Sequence, residues 1–163
     1  MKRTIKIKFV DFWGDFNVKD NFITRTLSQR YNIELSDKPH YLFFGTFGYR
    51  HLNYSCIKIM FIGENIAPDF NLCDYALGFD FIEFGDRYMR LPLYCTYDCF
   101  ASLAQISLPS DEMLLDRKFC SMVVSNNRHA SPHRERFFRL LSEYKQVDSG
   151  GRLWNNVGGP VAD

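Results

Sequence analysis

The residues best suited to chemistry sit at breaks in apolar segments. The run 57–62 ends at Gly63, and Glu64 and Asn65 follow at once. A carboxylate placed there has two readings. It can favour a helix start, where aligned amide dipoles attract negative charge. It can also be a general base, because an ionised glutamate accepts a proton from an attacking hydroxyl. A second candidate is the glycine-rich SGGRLWNNVGG, 149–159, which could bring backbone close to a phosphate while Arg152 supplies charge. It matches neither the Walker loop nor the dinucleotide fingerprint, and a plain turn is the alternative. Cys95 and Cys99 lie four apart, as do His129 and His133. A zinc site needs four good ligands, and no third pair has a suitable spacing, so these read as core thiols and loop histidines. The aromatic set Phe12, Trp13, Phe44, Phe47 and Tyr49 could stack on a sugar, although most of it reads as core.

The elements that must position these residues follow from periodicity. Ile5, Ile7 and Phe9 alternate with Lys6 and Lys8, the period-two mark of a strand. Asp20 or Asn21 can cap a helix to about Arg30, with Phe22, Ile23 and Leu27 on one face. Tyr31, Ile33 and Leu35 alternate again. Further strands are expected at 41–44 (YLFF), 56–62 and 74–79. Strands alternating with helical segments imply an α/β fold with a largely parallel sheet, whose ligands bind beyond the carboxyl ends of the strands. Three breaks fall at such ends: DFWGD, FGTFGY and GEN. After residue 100 a polar connector, SLPSDEMLLDRK, leads to an expected buried strand at 119–124. Ser131 and Pro132 then set up a helix with Phe137, Phe138, Leu140, Leu141 and Tyr144 as its apolar stripe, and another strand runs into VDSGG.

Composition narrows the classes. Of 163 residues, 46% are hydrophobic and 17% aromatic, enough for a packed core. Twenty basic against 19 acidic residues, a net charge of +1, argue against a general nucleic-acid binder. No apolar run is long enough to span a membrane. MKRTIKIKFVDFW reads as a first strand, not a signal peptide. Five cysteines without framework spacing favour reduced thiols in the cytoplasm, which is compatible with peripheral membrane association.

Taken together, four stretches resemble the bacterial α-1,3-fucosyltransferases, glycosyltransferase family 10. They are IKFVDFWGDF (7–16), GENIAPDFNLCDYALGFDFI (63–82), GDRYMRLPLY (85–94), and VVSNN with VDSGGRLWNNVGG near the end. The resemblance implies a GT-B arrangement of two Rossmann-like domains, here an acceptor-side domain at 1–117 and the beginning of a GDP-fucose-binding domain at 118–163. It implies transfer of L-fucose from GDP-fucose, with inversion, to a GlcNAc-containing acceptor of the N-acetyllactosamine type, as in Lewis-antigen mimicry on surface polysaccharide. Glu64 becomes the catalytic base. Trp13, Asn65, Asp69 and Asn71 become acceptor-binding residues, and Ser125, Asn126 and Arg152 donor-binding ones. No cofactor is implied. No metal-binding DxD motif is visible, and positive side chains can stabilise the leaving diphosphate. The chain stops at Asp163, short of the family's later nucleotide-contacting segment, so an amino-terminal portion, inactive alone, is expected. The alternatives are a non-catalytic carbohydrate-binding module and an inactive remnant.

Overall fold

The computed structural model describes residues 2–97, 102, 105–126, 128 and 131–161. The chain divides into two compact units, Met1–Ile106 and Ser107–Asp163. That division falls at the start of the polar connector SLPSDEMLLDRK.

The first unit is an α/β layer built on one parallel sheet. Its strands are β1 (Arg3–Val10), β2 (Tyr31–Leu35), β3 (Tyr41–Phe44), β4 (Ile57–Phe61), β5 (Tyr75–Gly78) and β6 (Tyr88–Arg90). They lie in the order β2-β1-β3-β4-β5-β6, every neighbouring pair parallel. Because the chain leaves β1 for β2 on one side and returns to β3 on the other, the order reverses between β1 and β3. A crevice at the carboxyl ends is the geometric result.

The sheet buries both faces. Ile5, Ile7, Phe9 and Phe43 pack with Ile23 of helix α1 (Phe22–Ser28) on one side. Val10, Leu42, Phe44, Met60, Ile62 and Ala76 form the core of the other. Successive residues of β3 therefore serve opposite cores, and YLFF carries no charge because Leu42, Phe43 and Phe44 are buried and Tyr41 is half-buried. Asn21 caps α1: its Oδ1 accepts from the Ile23 and Thr24 amides at 3.0 Å, and Thr24 Oγ1 accepts from the Asn21 amide at 3.0 Å. The helix ends at Ser28, short of Arg30. The amides of Gln29 and Arg30 turn to the carbonyls three residues back, tightening the last turn before β2.

Strand β6 was not foreseen. Its three residues pair with β5, and Arg87 just before it is clamped. The guanidinium donates to the carbonyls of Phe70, Cys73 and Asp74 and lies over the paired rings of Phe70 and Phe84. Cys73 beneath it is buried, and that burial pushes its thiol up to about 11. Cys56, Cys73, Cys95 and Cys120 are all free thiols.

In the second unit, α2 (Asp111–Leu115) occupies what was expected to be plain connector. Ser110 Oγ accepts from the Met113 amide, and Asp111 and Glu112 complement the first turn. The expected strand 119–124 is reduced to β7 (Ser121–Met122), which pairs in parallel with β8 (Asp148–Ser149). The ladder stops because the Val124 carbonyl accepts from the Leu153 amide of the following turn instead of from a strand. Helix α3 (His133–Tyr144) forms as foreseen, but its stripe is not a core: Phe137, Leu140 and Tyr144 are exposed. Phe138 is half-buried and stacks on Trp154 at 5.4 Å. Cys99 and His129 lie outside the described residues. No helix among the described residues is long and apolar enough to cross a membrane.

Candidate active site

A cleft of about 400 Å³ opens at the carboxyl ends of β1, β3 and β4. Its lining comes from the segment after β1 (Trp13, Asp15, Phe16, Asp20), the loop after β3 (Gly45, Thr46, Phe47) and the end of β4 (Phe61, Gly63, Glu64). These are the three breaks singled out in the sequence, and they meet where the strand order reverses.

The floor is a cluster of packed aromatic rings. Phe12 stacks on Phe16 at 4.0 Å and on Phe61 at 5.9 Å, while Trp13 meets Phe16 edge-on at 5.0 Å. Trp13 is still 41% exposed and Phe47 55% exposed, so two aromatic faces remain open to a ligand. Such faces stack on the apolar face of a pyranose ring. Of the aromatic set weighed earlier, Phe44 is core and Tyr49 is exposed outside the cleft. The loop from β1 to α1 is ordered by turns: Asn17 Oδ1 accepts from the Lys19 and Asp20 amides. Asp20 pairs with Arg25 at 3.6 Å.

Glu64 is exposed on the cleft wall, one residue past Gly63. Its carbonyl accepts from the Ile66 amide at 2.8 Å, turning the chain away from the sheet. Its carboxylate has no hydrogen bond or ion pair with the described residues, so it caps no helix among them and stands unpaired on the wall, as does that of Asp15. A Cβ on Gly63 would meet Leu93 Cδ2 at 3.6 Å and Phe61 Cε1 at 3.7 Å, ordinary contacts. Packing therefore does not require glycine at 63.

Sequence-derived acceptor residues divide. Trp13 lines the cleft. Asn65 adjoins Glu64 but is not on the lining, and Asp69 and Asn71 are occupied with each other, the Asn71 amide and Nδ2 both donating to Asp69 Oδ1 at 2.9 Å. Thr46 lies within the FGTFGY break and Leu93 within GDRYMRLPLY, whereas Thr96 and Tyr97 line the cleft without having drawn notice, because nothing in their local spacing marks them.

In the second unit, Ser125, Asn126 and Arg152 come together. The Arg152 amide donates to Ser125 Oγ at 3.3 Å, and Arg134 Nη1 donates to the Asn126 carbonyl at 3.4 Å. The approach is tight enough to demand glycine: a Cβ on Gly151 would lie 2.1 Å from the Val124 carbonyl oxygen. No group of three or more His, Cys, Asp or Glu among the described residues could hold a metal ion.

The family model for the Alpha-(1,3)-fucosyltransferase FucT N-terminal domain matches residues 7–97, the stretch that contains the whole cleft. The chain belongs to that family. It is 32% identical to the Alpha-(1,3)-fucosyltransferase FucT of Helicobacter pylori over 94% of its own length and 41% of that protein's. It superposes on a crystal structure of an alpha1,3-fucosyltransferase with GDP-fucose at a TM-score of 0.73 and 27% identity, covering 100% of this chain and 57% of that one. A second alpha1,3-fucosyltransferase crystal structure gives 0.73 at 29% identity. The α/β fold with a Rossmann-like parallel sheet is thus shared with fucosyltransferases of known structure. The chain spans about half the length of these relatives, or less.

Proposed function

We propose that this chain is the acceptor-side part of an α-1,3-fucosyltransferase, with the first residues of the donor side. The reaction is transfer of L-fucose from GDP-fucose to a GlcNAc-containing acceptor of the N-acetyllactosamine type, with inversion at the anomeric carbon. The observation that carries the reading is an unpaired carboxylate, Glu64, on the wall of an aromatic cleft at the sheet's topological switch point. An inverting displacement requires a base to remove the proton of the attacking hydroxyl. Asp15 and Glu64 are both cleft carboxylates without a partner among the described residues, and we assign the base to Glu64 because it heads the GEN stretch that carries the family resemblance.

Trp13 and Phe47 stack on the acceptor's sugar rings, and Asp15 and Thr46 supply hydrogen-bonding groups for its hydroxyls. Ser125, Asn126 and Arg152 face the GDP portion of the donor, where the guanidinium offsets diphosphate charge. GDP-fucose is bound in one of the matching crystal structures, which supports the choice of donor. The reaction belongs in the cytoplasm, where free thiols persist.

The deciding experiment is Glu64→Gln in the complete enzyme, with acceptor affinity and turnover measured separately. The amide keeps the size of the side chain but cannot take the proton. Turnover should fall about a hundred- to ten-thousandfold while acceptor affinity changes little. Near-normal turnover would remove Glu64 from the base role.

A further inference from the structure

Two walls of the cleft leave the sheet from a single buried network that the transfer chemistry does not use. Asp11 follows β1 directly, is 1% exposed and takes the left-handed conformation, φ 58°. Its Oδ1 accepts from the Arg50 amide and Arg50 Nε, each at 3.2 Å. Its Oδ2 accepts from the His51 amide and pairs with His51 Nδ1, each at 2.9 Å. The Asp11 carbonyl also accepts from the Phe47 amide at 2.9 Å. Gly45 and Gly48 press against the same residue: a Cβ on either would lie 2.5 Å from an Asp11 oxygen.

His51 completes the arrangement. Its ring is 4% exposed and stacks on Phe44 at 4.2 Å, with 18° between the planes. An ionised carboxylate only accepts, so Nδ1 carries the proton shared with Asp11. Nε2 is buried with no partner among the described residues, so the ring's polar anchorage is to Asp11. Burial would push the Asp11 carboxyl up, but the hydrogen bonds from His51 and Arg50 outweigh it and hold the group below the usual carboxylate range.

We propose that Asp11, buttressed by His51, is a positioning residue that holds the Trp13 wall and the Phe47 wall in register and so sets the cleft's affinity for its sugar. Residues 12–16 leave Asp11 in one direction. The loop carrying Thr46 and Phe47 is tied to it by the Phe47 amide and by residues 50 and 51. The inference rests on the acceptor reading of the cleft for the identity of the ligand. Asparagine would tolerate the left-handed backbone as well as aspartate does. What asparagine cannot do is accept from all four donors, because one of its two terminal atoms is itself an NH₂.

Asp11→Asn therefore isolates the charge from the backbone. Three quantities are read by NMR on the chain: amide exchange at Phe47, Arg50 and His51, the Trp13 indole N–H resonance, and the Kd for N-acetyllactosamine. Exchange at those amides and the Kd should each rise at least about tenfold, with Trp13 shifted and the sheet amides of Ile7 and Leu42 still protected. His51→Phe keeps a ring on Phe44 and removes only the shared N–H, so it should move the same quantities less, and it decides the matter if Asp11→Asn does not fold. A folded variant with unchanged Trp13 resonance and unchanged Kd overturns the proposal even if its Tm falls, since a merely structural role gives that pattern. A native chain that does not bind the disaccharide sinks the acceptor reading instead, and loop exchange with the Trp13 resonance then decides the positioning role.

Discussion

Asp11 keeps a negative charge where burial opposes it, which gives the protein a signature in acid. Its folded carboxyl is held low by His51 and Arg50, whereas in the unfolded chain it titrates near the ordinary value of about 3.9. The unfolded state therefore takes up the proton first, and the stabilisation is complete at neutral pH and lost as pH falls through the folded value. Relative to the native chain, Asp11→Asn should cost about 2–3 kcal/mol at neutral pH. The difference should shrink below about pH 4, as followed by urea unfolding at a series of pH values. A difference that grew in acid would mean that the carboxyl is not held low. This residue also shows what sequence could not reveal. Glu64 and Trp13 are legible because each stands just past a strand, where a break in periodicity draws attention. Asp11 and His51 lie in separate segments, and only the register of β1 against β3 brings them together.

At the level of the elements, legibility followed the strength of the local pattern. Strands β1, β3, β4 and β5 carry apolar residues on both faces or in strict alternation, and each was foreseen to within a residue or two. Strand β6 has three residues, half-buried to exposed, and owes its place to the Arg87 clamp, so nothing in YMR itself announces it. Helix α2 was overlooked because its signal is a serine cap and two acids, not an apolar face. Helix α1 depends on a reciprocal cap between Asn21 and Thr24 that also fixes the loop beside Asp20 and the cleft. Asn21→Ala removes an acceptor for two amides, and the lost cap should cost about 1 kcal/mol. Thermal unfolding measures that cost. Asn21→Ala should also raise the Kd for the acceptor disaccharide less than Asp11→Asn does, because Asn21 supports one wall and Asp11 two.

For the molecule as a whole, the two units differ in how much they bury. The first holds two apolar clusters, one on each face of a six-stranded sheet, with Ile7, Leu42 and Phe44 almost wholly enclosed. Burying a side chain of that size contributes about 1.5–3 kcal/mol each, so local opening of β1 or β3 approaches global unfolding in cost. The second unit encloses far less. Val124, Val147 and Ser149 are buried, α3 buries no residue, and β7 with β8 is a two-residue pair. A two-stranded pairing is marginal in water by itself. The amides that close it, Asp148 to the Cys120 carbonyl at 3.0 Å and Gly150 to the Met122 carbonyl at 2.9 Å, have few apolar contacts to lose on opening. The expected outcome is a split in native-state hydrogen exchange. Amides of Ile7, Leu42 and Phe44 should exchange only through global unfolding, while those of Asp148 and Gly150 should exchange about a hundredfold faster or more. Equal protection in the two sets would show that the second unit draws stability from contacts other than its own strands and helices. The chemistry follows the same division: the better-enclosed sheet carries Glu64 and the aromatic cleft, so the proposed base and acceptor wall stand on the more rigid unit. Preorganisation of that kind keeps a general base within proton-transfer distance of a bound hydroxyl.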